Sequence, residues 1–274
     1  MFYPIKPDDS VFADAEYIAD RVHFQVLDKR IRPSAAILLT NGGTIIMGQS
    51  NPSMSMWIWT SAHVTDEDLA ALKTALPRIL SESEMPYFMA RDSVADYLKD
   101  AFTKDAFAAR SVISVEYLTA YKCENLTIPP KKGECALPTA DDLPRLATFW
   151  MHFEEECFQR TSSEDDAKNT AQHFIDTKST YILKDETGTV QALARFGEPE
   201  DGYSKIGPVF TARESRNKGY AAYITAKACE HIMSQNCTPI LYADSENPAS
   251  NKAYQNIGFT PAGTLKAYKF GSAK

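Results

Sequence analysis

The segment from Arg216 to Ala221 combines residue types and a spacing that suit the binding of a phosphate group. Its sequence is Arg-Asn-Lys-Gly-Tyr-Ala, and it lies between an apolar strand pattern and a helical pattern. The first N–H groups of a helix lack intrahelical partners and carry partial positive charge, so they attract anions. Gly219 has no side chain to hold a phosphate away from the backbone, and Arg216 and Lys218 add positive charge. The segment therefore predicts a pyrophosphate-binding turn.

A second polar segment, residues 247–259, follows after one helix and one apolar strand. Its sequence is Asn-Pro-Ala-Ser-Asn-Lys-Ala-Tyr-Gln-Asn-Ile-Gly-Phe. Asn247 is a good N-cap, Pro248 fits the first helical position, and Gly258 is typical of a helix C-terminus. These signals predict a short helix of about two and a half turns that carries Tyr254 near its end.

Regular patterns predict the elements that position both segments. Thr139-x-x-Asp142 and Ser163-x-x-Asp166 are typical of the starts of two helices. The helix after the pyrophosphate turn is expected to begin at Asn217. Four strands are predicted around it, at Tyr181–Lys184, Val190–Phe196, Lys205–Thr211 and Pro239–Ala243.

Together, the two polar segments resemble the acetyl-CoA site of the GCN5-related N-acetyltransferase (GNAT) family, and the resemblance covers roughly residues 133–270. It implies an α/β fold with a mixed sheet, the GNAT acyl-CoA N-acyltransferase fold, with acetyl-CoA as cosubstrate. Backbone groups of Val209, Phe210 and Thr211 would contact the pantetheine arm between two splayed strands. Asn247 and Asn251 would contact the pantetheine or its surroundings. The pyrophosphate would be held by the turn, which consists of Arg216, Asn217, Lys218, Gly219, Tyr220 and Ala221.

Tyr254 is the candidate catalytic residue, because the resemblance implies that it lies beside the thioester sulfur. In the family the acyl group moves directly to an amine, and the departing thiolate needs a proton. A phenol with a pKa near 10 stays protonated at neutral pH and can protonate a thiolate whose conjugate acid has a pKa near 8.5. A backbone N–H of residues 209–211 is the candidate oxyanion donor. The alternative is that the Tyr254 ring only packs under the sheet.

The general base stays open at the level of sequence. A run of carboxylates on a helix is usually a solvated face, and a water relay to solvent is an equal alternative. The ionisable candidates are Glu154, Glu155, Glu156, His152, His173, Asp244 and Glu246.

The first half of the chain shows a weaker copy of the same order of elements. Asn41-Gly42-Gly43 is typical of a hairpin turn, Met56–Thr60 takes the place of the cofactor strand, and Thr65-x-x-Asp68 begins a helix. Neither polar segment has a counterpart there. We therefore predict two tandem GNAT-like domains: residues 1–125, degenerate and without a CoA motif, and residues 133–274, catalytic. Residues 126–132, with paired prolines and lysines, would be a linker. An unrelated α+β domain is the alternative for the first half.

Composition limits the classes of protein to which the chain can belong. Its 274 residues are 44% hydrophobic and 24% charged, which is typical of a globular protein longer than one ordinary domain. With no membrane-length apolar run and no signal-peptide pattern, we expect a cytoplasmic protein without a membrane partner. The net charge of −7 disfavours nucleic acid as a partner. Five cysteines without a C-x-x-C pair are expected to be buried thiols, not disulfide or metal ligands.

The sequence thus predicts an acetyl-CoA-dependent N-acetyltransferase that acts on a small-molecule or peptide amine and uses no metal. One alternative is a non-catalytic acyl-CoA sensor, against which the presence of Tyr254 counts. The other is a peptidyl or aminoacyl transferase of related fold, which the acidic charge and the intact CoA segments oppose.

Overall fold

The computed structural model describes residues 1–83, 85–102, 110–158 and 160–272. The strands are β1 (Tyr3–Pro4), β2 (Ile37–Thr40), β3 (Ile45–Gln49), β4 (Met56–Thr60), β5 (Tyr87–Arg91), β6 (Arg110–Cys123), β7 (Glu134–Ala136), β8 (Thr180–Lys184), β9 (Val190–Phe196), β10 (Tyr203–Thr211), β11 (Thr238–Asp244) and β12 (Phe259–Ser272). The α-helices are α1 (Ala15–Ala19), α2 (Asp66–Ile79), α3 (Asp92–Leu98), α4 (Leu143–Phe158), α5 (Glu164–Asp176), α6 (Tyr220–Ser234) and α7 (Pro248–Asn256). Of the helices that the structure describes, none combines the length and hydropathy that a membrane-spanning segment requires.

The chain divides into two compact units, which do not follow each other simply along the sequence. Unit 1 consists of Met1–Ala120, Asp244–Glu246 and Ala262–Lys274, and unit 2 consists of Tyr121–Ala243 and Asn247–Pro261. The long strands β6 and β12 each begin in one unit and end in the other. The sequence alone assigned the C-terminal residues to the second domain, whereas β12 pairs antiparallel with β5 of unit 1 from Leu265↔Arg91 to Lys269↔Tyr87.

Unit 2 is a mixed sheet with helices on both faces. Its strand order is β12-β6-β11-β10-β9-β8-β7. The strands from β7 to β10 are antiparallel neighbours, and β10 runs parallel to β11. Because successive side chains of a strand point to opposite faces, Ala192 and Ala194 of β9 pack in the core with α6, whereas Leu193 packs with α4 and α5.

The predicted helix starts in unit 2 are confirmed, with one exception. Thr139 and Asp142 form a reciprocal capping box immediately before α4. The Ser163 hydroxyl accepts a hydrogen bond from the Asp166 N–H at the start of α5. The predicted start of α6 at Asn217 is wrong. Asn217 has φ +63° and Gly219 has φ +81°, and a right-handed helix cannot contain these left-handed residues, so α6 begins at Tyr220.

Unit 1 contains a sheet with the order β1-β2-β3-β4-β5-β12. The predicted hairpin turn at Asn41–Gly43 connects the antiparallel strands β2 and β3, and the predicted strand Met56–Thr60 is β4. β4 is parallel to β5. The Thr65 side chain accepts from the Asp68 N–H at the start of α2, as the sequence pattern predicts.

The cysteine prediction holds only in part. Cys123 and Cys229 are buried, and Cys135 and Cys237 are partly buried. Cys157 is exposed, so the prediction of a buried thiol is wrong there. The reason is its place in the last turn of α4, whose buried residues end at Glu154.

Candidate cofactor and acyl-transfer site

β10 and β11 are paired over only part of their length. The parallel register joins Tyr203–Lys205 to Thr238–Ile240 and stops there, although β10 continues to Thr211. From Val209 to Thr211 the strand pairs with β9 on its other side. A register irregularity between Ile206 and Val209 bends the strand at this point. The backbone edge of β10 that follows Lys205 can therefore accept an extended molecule in the manner of an added strand.

Side chains anchor this end of β10 on both faces. The Phe210 ring is buried 5.1 Å from the Phe149 ring of α4, measured between centroids. Val209 packs on the opposite face, against the core that contains α6. The Thr211 Oγ1 atom is fully buried and has no hydrogen-bond partner among the described residues. Packing on both faces thus holds the backbone of Val209, Phe210 and Thr211 in place.

The turn after β10 exposes the N-terminus of α6. A 3₁₀ turn, Arg213–Ser215, precedes the left-handed residues Asn217 and Gly219. Left-handed residues in such a turn direct several N–H groups to one side, which is a common anion-binding geometry. Gly219 is the N-cap of α6 and supplies no side-chain cap, so the first N–H groups of the helix remain available. Asn217, Lys218 and Gly219 are exposed, and Tyr220 and Ala221 are half-buried in the first helical turn.

A pyrophosphate fits this turn on steric grounds. A Cβ atom built on Gly219 would meet only the Cε atom of Lys132, at 3.6 Å. Apart from the neighbouring residues, the space next to Gly219 is therefore open except for one lysine side chain. CoA would be held there by the N–H groups of residues 216–221.

The equivalent helix of unit 1 has a closed N-terminus. The Thr65 Oγ1 atom accepts from the Asp68 N–H at 3.1 Å, and the Asp68 carboxylate accepts from the Thr65 N–H at 3.2 Å. The first turn of α2 also contains three acidic residues, Asp66, Glu67 and Asp68. At the N-terminus of α2, an anion would meet N–H groups that already donate hydrogen bonds and carboxylates that repel it. The N-terminus of α6 has no side-chain cap and no acidic residue in its first turn.

Arg216 is engaged by an acidic residue of α4. It donates to the two carboxylate oxygens of Glu156 at 2.9 and 2.7 Å, and Arg213 donates to Glu156 at 2.7 Å and to Glu155 at 2.6 Å. Partial burial raises the pKa of Glu156, but the hydrogen bonds from Arg213 and Arg216 outweigh this effect and hold its pKa below the ordinary value. Glu156 is therefore a poor proton acceptor.

The remaining base candidates are placed as follows. Glu154 is buried and accepts from Arg160 at 2.9 and 2.5 Å and from the Ser162 hydroxyl, so the expectation of a solvated side chain is wrong for this residue. Glu155 and Glu156 are exposed, as expected. The His152 ring lies 6.3 Å from the Phe210 ring, and His173 is in the last turn of α5. Asp244 and Glu246 belong to unit 1. No single base follows from these positions.

Asn247 and Asn251 organise the start of α7. The Asn247 Oδ1 atom accepts from the Ser250 N–H at 3.1 Å, which confirms the predicted N-cap. The Asn251 side chain donates to the Asn247 carbonyl at 2.8 Å and accepts from the Tyr121 hydroxyl at 2.9 Å. These contacts fix α7 and thereby the position of Tyr254.

The ring of Tyr254 packs in the hydrophobic core of unit 2. The residue is 9% exposed, and its ring lies 5.9 Å from that of Phe259 and 6.5 Å from that of Tyr121. Among the described residues, its hydroxyl has no hydrogen-bond acceptor. Burial raises the pKa of Tyr254 above its ordinary value, with a smaller contribution from Cys157. The phenol therefore stays protonated at neutral pH.

Sequence reasoning missed two features of this region. The ion pairs of Arg213 and Arg216 with α4 carry no sequence signal, because the partners are 57 to 60 residues apart. The second feature is the position of Lys132 beside Gly219, because the sequence predicts that this lysine belongs to a linker. In the described part of the chain, no group of three or more His, Cys, Asp and Glu side chains is placed to hold a metal ion.

Comparison with known proteins assigns part of the chain to a family. A sequence model described as the acetyltransferase (GNAT) family matches residues 146–259, the segment that contains both predicted cofactor motifs. Among curated proteins, the mycothiol acetyltransferase of Corynebacterium kroppenstedtii is 33% identical over 82 residues, which are 28% of this chain and 22% of that protein's length.

Solved structures extend the likeness to most of the chain. A GCN5-related N-acetyltransferase from Sphaerobacter thermophilus is 13% identical, with a TM-score of 0.67, over 98% of this chain and 94% of its own. A tandem GNAT protein from the clavulanic acid biosynthesis pathway is 9% identical, with a TM-score of 0.56, over 98% of this chain and 97% of its own. At these identities the likeness shows the fold, and it confirms the predicted GNAT fold class. The chain thus contains, at residues 146–259, a domain of the acetyltransferase (GNAT) family.

Proposed function

We propose that this protein transfers an acetyl group from acetyl-CoA to a primary amine of a small molecule or peptide, in the cytoplasm. The observation that carries the proposal is that β10 is not paired with β11 beyond Lys205 and that the N-terminus of α6, which has no side-chain cap, follows β10 in the chain. An extended pantetheine arm suits the strand edge, and a pyrophosphate suits the helix N-terminus. Acetyl-CoA has these two parts in this order.

Each predicted residue has a defined task in this proposal. Backbone groups of Val209, Phe210 and Thr211 bind the pantetheine arm, and the N–H groups from Arg216 to Ala221 bind the pyrophosphate. Asn247 and Asn251 hold α7 beside the arm. Acetyl-CoA supplies the activated acyl group, and a backbone N–H at the end of β10 stabilises the negative charge that develops on its carbonyl oxygen.

Tyr254 supplies the proton for the leaving group. The amine nitrogen forms a bond to the carbonyl carbon, the carbon–sulfur bond breaks, and the sulfur takes the phenolic proton of Tyr254. The amine loses one proton to solvent. A proton from solvent then restores the phenol for the next turnover.

The proposal also divides the work between the two halves of the chain. We propose that residues 1–125 belong to a degenerate GNAT-like domain that binds no CoA, and that the catalytic site lies within residues 133–274, in the part that belongs to unit 2. The capped, acidic N-terminus of α2 supports this division.

Calorimetric titration with acetyl-CoA tests the cofactor site in the full chain. One site per chain is expected. Gly219→Glu should abolish binding, because its carboxylate would occupy the anion site and repel the pyrophosphate. Gly188→Glu is the matched control, since Gly188 has nearly the same φ, +80°, and open space around it. Two equivalent sites, or normal affinity in Gly219→Glu, would contradict the proposal.

Thiol release from acetyl-CoA across a broad panel of amines tests the chemistry. At least one amine should give turnover that stops with Gly219→Glu and continues with Gly188→Glu. Tight binding of acetyl-CoA without thiol release by any amine would favour the sensor alternative.

A further inference from the structure

We propose that Lys132, in the segment that the sequence predicts to be a linker, binds the pyrophosphate of the cofactor directly. This inference rests on the proposed function, because it adds a residue to the same cofactor site. It makes Lys132 the main side-chain cation of that site, in place of Arg216.

The side chain of Lys132 lies against the N-terminus of α6. Its Cε atom is 3.6 Å from the position that a Cβ of Gly219 would take. Apart from the two residues next to Gly219 and the backbone of α6, no other described heavy atom comes within 4 Å of that position. The terminal ammonium is one bond beyond Cε. A side chain distant in sequence thus brings its positive end close to the N-terminus of α6.

The backbone after Lys132 is fixed. Gly133 has φ +106°, and a Cβ there would lie 2.3 Å from the carbonyl oxygen of Lys184. The next residue, Glu134, pairs with Lys184 in the antiparallel ladder of β7 and β8. Only glycine permits this close approach, and it holds Lys132 beside the turn.

The electrostatic surroundings of Lys132 favour an anion. Within the described ranges, no carboxylate lies within 4 Å of its ammonium group, and the group lies near the positive end of the α6 dipole. The ammonium group of Lys132 and the positive end of the α6 dipole repel each other unless an anion binds between them. Of the two cations within the turn, Arg216 is already engaged by Glu156 at 2.7 Å, and Lys218 is exposed.

Calorimetry on the full chain tests the proposal, with Lys132→Met compared with Lys131→Met. Both variants remove one charge from adjacent exposed lysines, and methionine keeps most of the apolar stem. Lys132→Met should weaken acetyl-CoA binding about tenfold, the effect of one charge-assisted hydrogen bond, and should reduce its dependence on salt concentration. Lys131→Met should bind like the wild type.

Two further measurements separate the alternatives. The first uses 3′-dephospho acetyl-CoA, which keeps the pyrophosphate, so Lys132→Met should lose as much affinity for this analogue as for acetyl-CoA. If Lys132→Met and wild type bind the analogue equally, Lys132 contacts the 3′-phosphate and the assignment is overturned. Gly133→Ala, checked for folding by circular dichroism, should reproduce the loss with the lysine still present. Equal affinity of Lys132→Met and wild type overturns the inference alone, whereas failure of the wild type to bind acetyl-CoA overturns the proposed function.

Discussion

At the scale of single residues, Tyr254 has the two properties that a general acid needs. Its ring is held by Phe259 and Tyr121, so the hydroxyl has a defined position, and its raised pKa keeps the proton in place until a thiolate forms. The sequence could predict the residue, since its position in α7 follows from the Asn247 cap. It could not predict the partners of Glu154 and Glu156, because long-range ion pairs leave no local pattern.

We expect Tyr254→Phe to lower turnover by about 10²- to 10⁴-fold, the usual contribution of general acid catalysis. The affinity for acetyl-CoA should barely change, because the hydroxyl acts mainly on the leaving sulfur. Thiol release and calorimetry measure the two quantities once an acceptor amine is known.

Tyr254→Ala is the control that separates packing from catalysis. It removes the buried ring and should lower the melting temperature, which Tyr254→Phe should leave nearly unchanged. A Tyr254→Phe enzyme within about threefold of wild type, with chemistry rate-limiting, would exclude the phenol as the acid.

At the scale of elements, the ends of the helices distinguish the cofactor site from the rest of the chain. The first residues of most helices can be predicted from the sequence, because a helix cap is a local contact over three residues. Thr65 with Asp68 and Ser163 with Asp166 are examples. The start of α6 cannot be predicted in this way, because the sequence pattern of the helix already includes Asn217. Only the left-handed backbone of Asn217 keeps this residue out of the helix. That interruption is also what opens the anion site.

Replacement of the α7 cap tests how far this element supports the site. Asn247→Ala removes the acceptor of the Ser250 N–H and should lower the free energy of unfolding by about 1 kcal/mol. Asn247→Asp keeps an acceptor at the N-cap and should be close to wild type. Urea unfolding measures both, and equal stability of Asn247→Ala and wild type would contradict a capping role.

At the scale of the whole molecule, unit 1 is built from residues at opposite ends of the chain. The His23 ring nitrogen Nε2 donates to the Thr264 carbonyl at 2.8 Å, across 241 residues of sequence, and Arg91 donates to Nδ1 at 2.9 Å. A Cβ on Gly263 would lie 2.5 Å from the His23 ring, so the C-terminal strand packs closely on it. Hydrophobic periodicity predicts strands, but it does not indicate which distant strand completes a sheet. For this reason the sequence alone places the C-terminal strand in the second domain.

This buried histidine makes the stability of unit 1 dependent on pH. Burial lowers the pKa of His23 below its ordinary 6.5; Arg91 lowers it further, and the Thr264 carbonyl, Asp20 and Asp92 oppose the shift only in part. Below pH 6.5 the unfolded chain therefore binds a proton that the folded chain does not. The contribution of His23 to the free energy of unfolding is complete above that pH. It is lost as the pH falls from 6.5 towards the pKa of His23 in the folded protein, by at most about 1.4 kcal/mol per pH unit.

Urea unfolding between pH 7.5 and 5.5, followed by tryptophan fluorescence, measures this dependence. In a Trp150→Phe background the remaining tryptophans, Trp57 and Trp59, both belong to unit 1, so the signal reports on that unit. The free energy of unfolding should decrease below pH 6.5 in this protein and should decrease less when His23→Gln is added, because glutamine does not titrate. Since the carboxylates of Asp20 and Asp92 are present in both, their titration cancels in the comparison. The same pH dependence in both proteins would show that His23 is not the group that binds the proton on unfolding.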